Sequence, residues 1–130
     1  MEKIAKVLGK AEDAAKYKER RQRLNELIQK TFYDPEKKQY ATGSQIDRIY
    51  PMLVGVTDEQ HMPEVKEGLY RETLENCKGH IGSGLVGVTI LTDWAIKDGE
   101  ADFLYSMLKK RELPGYLYTV SYTHLTLPTT

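Results

Sequence analysis

Two short stretches gather the side chains that could do chemistry: "YATGSQID" at residues 40–47 and "HIGSGLVG" at residues 80–87. The first carries Tyr40, Gln45 and Asp47 around a Gly-Ser pair; the second sets His80 ahead of Gly82, Ser83 and Gly84. An amide, a carboxylate and an imidazole beside permissive glycine backbone can hydrogen-bond a polar ligand, or equally cap a helix and brace a loop. Covalent and metal chemistry find less support. No His, Cys and Asp arrangement has metal-ligand spacing, no phosphate loop is present and no Ser-His pair stands out. The single Cys77 can form neither an intrachain disulfide nor a CxxC pair and reads as a small buried apolar residue.

The elements that must position these residues follow from hydrophobic spacing. Residues 11–33 place Ala14, Tyr17, Leu24, Leu27, Ile28 and Phe32 three and four apart, an amphipathic helix that Asp34-Pro35 stops. After the polar connection "DPEKKQYATG", Ser44 with Asp47 three residues on is a capping-box-like start for a helix carrying Ile46, Ile49, Met52 and Leu53. Pro51 inside it predicts a kink or an early end. Pro63 suits the first turn of a third helix, striped by Val65, Leu69 and Cys77. "LVGVTILTDWAIK" is apolar nearly all round and has to be covered on several sides, with Trp94 in the core. Asp93, the odd acid there, is expected to cap or bridge. Asp98-Gly99 ends that helix in a left-handed cap, and "EADFLYSMLKKR" resumes as an amphipathic helix.

Gly43, Ser44, Ile46, Ile49 and Met52 recur as Gly82, Ser83, Leu85, Val88 and Leu91, thirty-nine residues on. About five helices alternating outer and inner form an α-hairpin array, either an open solenoid or a closed toroid. The outer-to-inner connections are the longer or the richer in Gly and aromatic residues. They lie where the inner helices point their N-termini, with free N–H groups and positive dipole ends. Two inner helices cannot enclose each other, so the sequence reads as a slice of something larger.

Composition bounds the partners. The 130 residues hold nineteen basic and nineteen acidic side chains, which leaves no electrostatic footprint for nucleic acid or an anionic membrane. No apolar run approaches the roughly 20 residues of a membrane span, and "MEKIAKVLGK" lacks the apolar core of a signal peptide. The acidic series Glu64, Glu67, Glu72 and Glu75 and the basic "KERRQR" read as solvated outer faces.

Taken together, "KIAKVLGKAEDAAKY", "YATGSQIDRIYPMLVGV" and "GHIGSGLVGVTILTDWAIKDGEADFLYSMLKKRELPGYLY" resemble the catalytic (α/α)6 toroid of bacterial α-L-rhamnosidases, which are inverting glycoside hydrolases. The most specific parts are the "H-I-G-S-G-L-x-G" element and the "D-G-E-A-D-x-x-Y-x-x-L" helix running into "P-G-Y-L-Y". The resemblance implies an all-α chain, a partial (α/α)6 toroid over residues 1–118. It implies a rhamnose-containing glycoside or polysaccharide as the parent's substrate, and the rest of the catalytic domain as the cover for the inner helices. No cofactor, metal, nucleic acid or membrane enters the expectation.

By the same resemblance, the two catalytic carboxyls of the family would fall outside this chain. The general acid precedes the equivalent of Met1, and the general base is the Glu of a Trp-Glu pair after "PGYLY". No catalytic residue is therefore expected here, and the chain alone is expected to be inactive. Within the resemblance, His80, Gln45 and Asp47 are the polar candidates for a sugar. Gly82 and Gly84 would allow close approach, and Tyr40 and Tyr116 would offer apolar sugar-facing surface. The competing reading is a helical-repeat module that binds protein on its concave face. The last residues, 119–130, are expected to be a non-native, irregular tail. "VSYTHLTLPT" looks like the translation of a transposase adapter used in sequencing libraries, whose codons GTC TCT TAT ACA CAT CTG ACG CTG CCG ACG give Val120 through Thr129.

Overall fold

The computed structural model describes residues 1–118 and Val120. The tail expected at residues 119–130 lies, Val120 apart, outside the described residues. Among the described residues six helices have both ends defined: α1 (Glu2–Val7), α2 (Ala11–Phe32), α3 (Gln45–Val54), α4 (Met62–Glu75), α5 (Gly84–Asp98) and α6 (Ala101–Leu108), with a short hairpin of β1 (Tyr33–Asp34) and β2 (Gln39–Tyr40) between α2 and α3; residues 116–118 are helical as well. Two details differ from the sequence-based expectation. The lead-in is a helix of its own, because Gly9 at φ +68 breaks the chain before α2 starts at Ala11. The polar connection folds into a β-hairpin rather than running as a plain loop. Asp34 Oδ1 accepts from the N–H of Glu36 (3.0 Å) and Lys37 (3.1 Å), turning the chain so that Tyr33 faces Tyr40 across the strands.

Helix starts and stops mostly follow local chemistry. Ser44 caps α3 through its Oγ, which accepts from the N–H of Asp47 at 3.4 Å. Helix α3 runs through Pro51 to Val54 and ends at Gly55 (φ +76), so the proline neither stops it nor removes its last turn. Pro63 sits in the first turn of α4, and Gly99 (φ +74) closes α5 in the left-handed conformation. The repeat is broken at its second copy, where Ser83 makes no cap and its hydroxyl is used elsewhere.

Ile49, Met52, Val65, Leu69, Leu91, Trp94, Ala95 and Met107 form the core, with Tyr40 and Val56 at its edge. It lies between inner helices α3 and α5 and outer helices α4 and α6. The Trp94 ring is fully buried and meets Phe103 edge-on at 6.2 Å. Asp93 faces solvent and has no side-chain partner among the described residues, so it neither caps nor bridges. Cys77 lies past the end of α4 and is half-buried, not a core residue.

Helix α5 is covered on one side only. Leu91, Trp94 and Ala95 are at 0% exposure, whereas Leu85, Val86 and Ile96 are 92%, 75% and 73% exposed. Each such apolar side chain left in water forgoes about 1.5–3 kcal/mol of burial. The C-terminal half of α2 is partly bare as well: Ile28 packs half-buried against the core, but Leu27 and Phe32 are more than half exposed, and of the helix's apolar stripe only Ala14 is buried. Inner surface without cover is what a part of a closed all-α ring presents.

Candidate functional site

The two inner helices begin at the same end of the molecule, and one side chain joins them. Gln45, the first residue of α3, is 2% exposed. Its Nε2 donates to Thr73 Oγ1 (2.9 Å) near the end of α4 and to the carbonyl of His80 (3.1 Å). Its Oε1 accepts from the N–H of Gly82 (2.6 Å) and from Ser83 Oγ (3.0 Å). Every hydrogen-bonding position of the amide is engaged, which is what an interior polar group requires. The knot seats residues 80–84 on α3 and sets where α5 starts.

The other candidate residues fall around this knot. His80 is 7% exposed, with Nδ1 lacking a partner among the described residues. Gly82 is exposed, and a Cβ there would come within 2.6 Å of Cys77 Sγ, so a side chain at this position would have to displace the thiol. Gly84 starts α5 at φ +67, a left-handed conformation that side chains resist, with open space around it.

Gly84 and Tyr116 line one cleft of about 300 Å³ with Ile81, Leu85, Val88 and Pro114. Tyr40 and Asp47 border a second, of about 380 Å³, with Ile46, Tyr50 and Ile90 on the inner faces of α3 and α5. Tyr40 is itself 2% exposed. Its hydroxyl bonds Gln29 Oε1 and its ring packs on Tyr33 at 5.1 Å, so it forms the floor of that cleft. A third hollow of about 450 Å³, lined by Lys38, Arg48, Glu64 and Arg71, lies between the hairpin and outer helix α4.

Asp47 is the carboxylate nearest these clefts. Partial burial pushes its carboxyl up, but hydrogen bonds from the Thr42 hydroxyl, from Ser44 and from their backbone N–H groups outweigh that and hold it below the usual carboxylate range. A group so held stays ionised and is unsuited to protonating a leaving group. Among the described residues no cluster of three His, Cys, Asp or Glu could hold a metal ion, and no helix is long and apolar enough to cross a membrane.

The composition of the site was only partly legible. Ser83, Thr73 and Met107, whose Sδ lies 3.9 Å from Gln45 Nε2, come from the loop before α5 and from helices α4 and α6 and carry no local signal of a shared contact. Ile81, Val88 and Pro114 read simply as core or turn residues. Arg48, one turn from Gln45 on α3, carries no sequence signal of its role. It is 7% exposed and donates to the carbonyls of Gly43 (2.9 Å) and Lys38 (3.2 Å) and to Gln39 Oε1 (2.9 Å), fastening the hairpin to α3.

Comparison with known proteins points one way. The family model of the bacterial alpha-L-rhamnosidase 6 hairpin glycosidase domain matches residues 1–127, a range running past the boundary expected at residue 118. An alpha-L-rhamnosidase of Formosa agariphila is 24% identical over 119 residues, 92% of this chain and 13% of the relative. The crystal structure of native alfa-L-rhamnosidase from Aspergillus terreus is similar with a TM-score of 0.81 at 25% identity, over 93% of this chain and 14% of that one. The chain thus spans 13% to 14% of the length of these relatives.

Proposed function

The chain belongs to the bacterial alpha-L-rhamnosidase six-hairpin glycosidase family, and on that premise we propose that it is an internal segment of an inverting α-L-rhamnosidase, forming one wall of the sugar cleft while both catalytic carboxyls lie outside it. Inverting hydrolysis needs an acid and a base about 6.5–9.5 Å apart, one protonating the leaving oxygen and one activating water. The carboxylate best placed in this chain, Asp47, is held ionised and hydrogen-bonded to Thr42 and Ser44. That supports a supply of both groups from elsewhere and a chain inactive on its own. The family match does not favour the helical-repeat interaction module.

The observation that carries the reading is that Gly84 and Tyr116, far apart in sequence, border one largely apolar cleft at the N-terminus of an inner helix. A 6-deoxy sugar presents a methyl group and C–H faces as well as hydroxyls. Tyr116, Leu85 and Val88 would meet the apolar side of such a ring. The open space at Gly84 and the first N–H groups of α5 would admit its hydroxyls. His80, Gln45, Asp47, Gly82 and Tyr40 are proposed to contribute by shaping the surrounding walls. Residues 119–130 are proposed to take no part. Resequencing the locus by a chemistry without that adapter should replace them with a Gly- and Thr-rich stretch reaching a Trp-Glu pair.

The test is hydrolysis of p-nitrophenyl α-L-rhamnopyranoside by two proteins. The purified chain should release no nitrophenol above the blank. A chimera carrying residues 1–118 in place of the matching segment of the Formosa agariphila relative should hydrolyse it. Turnover by the isolated chain would show that the carboxyls are here after all. A folded but inert chimera would sink the rhamnosidase reading.

A further inference from the structure

We infer that Gln45 is a positioning residue of the sugar cleft: its side-chain amide, and no group lacking a donor at one end and an acceptor at the other, holds residues 80–84 and hence the start of α5 in register with α3. The inference rests on the reading of this end as a substrate cleft. Gln45 itself has no spare hydrogen-bonding capacity and is 2% exposed, so it acts through the backbone it holds and not by touching sugar.

The geometry is polar at both ends in opposite senses. Nε2 faces two acceptors, the Thr73 hydroxyl oxygen, whose proton is given to the Leu69 carbonyl at 2.8 Å, and the His80 carbonyl. Oε1 faces two donors, the Gly82 N–H and Ser83 Oγ. A carboxylate of the same shape satisfies the Gly82 side but sets an anionic oxygen against the His80 carbonyl. A protonated carboxylic acid restores a donor there. An apolar side chain of the same length satisfies neither. The order of tolerance is therefore glutamine, then protonated glutamate, then methionine or ionised glutamate, and only the glutamate depends on pH.

The groups around this amide leave that pH dependence legible. The titratable side chains near it are His80 and Cys77 in the loop, Asp47 and Arg48 on α3 and, one residue from Thr73 on α4, Glu72, whose charge acts on both Arg48 and Cys77; Glu112 acts on His80 from beyond α6, and Met107 of α6 does not titrate. All of these are also present in the wild-type protein, so the ratio of variant to wild type at each pH isolates the introduced carboxyl.

The experiment uses the full-length enzyme encoded at this locus, or the chimera, with Gln45→Glu and Gln45→Met. We expect kcat/KM of Gln45→Glu on p-nitrophenyl α-L-rhamnopyranoside to lie about tenfold below wild type at pH 8. The loss should be mainly in KM and shrink to within about twofold at pH 5. Gln45→Met should lose about as much at every pH, and thermal melts should verify that all three proteins are folded. In parallel, exchange of the Gly82 N–H should be slow in wild type and faster in Gln45→Met. Gln45→Glu equal to wild type at pH 8 in both kinetics and Gly82 exchange would overturn the inference. So would a deficit in Gln45→Glu that ignores pH. A wild-type protein that never turns over rhamnoside would sink the glycosidase reading instead, and Gly82 exchange alone would then decide whether Gln45 holds the loop.

Discussion

The guanidinium of Arg48 on α3 lies against Gly68 in the middle of α4, so closely that a Cβ at position 68 would overlap it. Glycine inside a helix normally weakens it by about 1 kcal/mol relative to alanine. Here the missing side chain makes room for a buried cation that fastens the hairpin through the carbonyls of Gly43 and Lys38 and the Gln39 amide.

Gly68→Ala should therefore destabilise the chain despite its better helix propensity. Displacing the guanidinium breaks hydrogen bonds to a charged donor, so a net loss of about 1–3 kcal/mol is expected in urea denaturation. The effect should shrink in an Arg48→Met background, since the partner that clashes is gone. A neutral or stabilising Gly68→Ala in the wild-type background would show that Arg48 swings aside freely.

Two substitutions on α5 separate its covered side from its bare one. Leu91→Ala empties a fully buried position and should cost about 2–5 kcal/mol. Val86→Ala alters a side chain that is 75% exposed and should change the isolated chain by no more than about 0.5 kcal/mol. In the full-length protein the same Val86→Ala should be clearly destabilising, because further hairpins would cover that face. Equal, small effects of Val86→Ala in both contexts would contradict the ring closure proposed for this face.

Tyr70 gives the alkaline limit of stability. Burial, then the neighbouring Glu100 carboxylate, push its phenol from 10.0 up to about 12. A group whose folded value is raised contributes stability that is complete below the unfolded value and lost as pH climbs through the folded one. Stability should hold to about pH 10 and decline from there to about 12. Tyr70→Phe should flatten that decline in part, since Tyr33 is raised in the same direction by burial and by Glu64. Absorbance titration near the phenolate band checks it; no late-titrating tyrosine lost in Tyr70→Phe would refute it.

Asp47→Asn tests whether the carboxylate bordering the cleft on the inner faces of α3 and α5 does chemistry. In the full-length enzyme it should leave kcat within about threefold and cost about 0.5–1 kcal/mol of stability, through loss of the charge-assisted bond from Thr42 and of a negative charge at the helix N-terminus. A loss approaching the 10²–10⁴-fold contribution of a general acid or base would mean that Asp47 is catalytic.

Much of the fold is written in local spacing. Ser44, Asp98-Gly99 and Pro63 mark helix ends because each satisfies or forbids particular backbone hydrogen bonds within a few residues. The four-residue spacing of Val65 and Leu69, and the unbroken apolar run around Leu91 and Trp94, identify helices and their buried sides for the same reason. The hairpin at residues 33–40 was illegible because its strands are two residues each and depend on an Asp34 turn and on Arg48 from the next helix. The bareness of Leu27 and Phe32 was illegible as well. A stripe states that a face is apolar but not whether anything lies over it.

The sequence by itself determined helices α2 to α6 and, through the Gly-Ser repeat, their alternation, while the loop-to-helix motifs carried the resemblance to the family. Those properties rest on residues acting within a turn or two of one another. Only the tertiary structure decided what Gln45, Tyr40 and His80 face. Spacing along the chain placed Gln45 in the first turn of an inner helix, where a polar side chain could turn outward to a ligand or inward to protein. Four partners supplied by Thr73, His80, Gly82 and Ser83 turn it inward, and they exist only once α3, α4 and the loop before α5 have packed together.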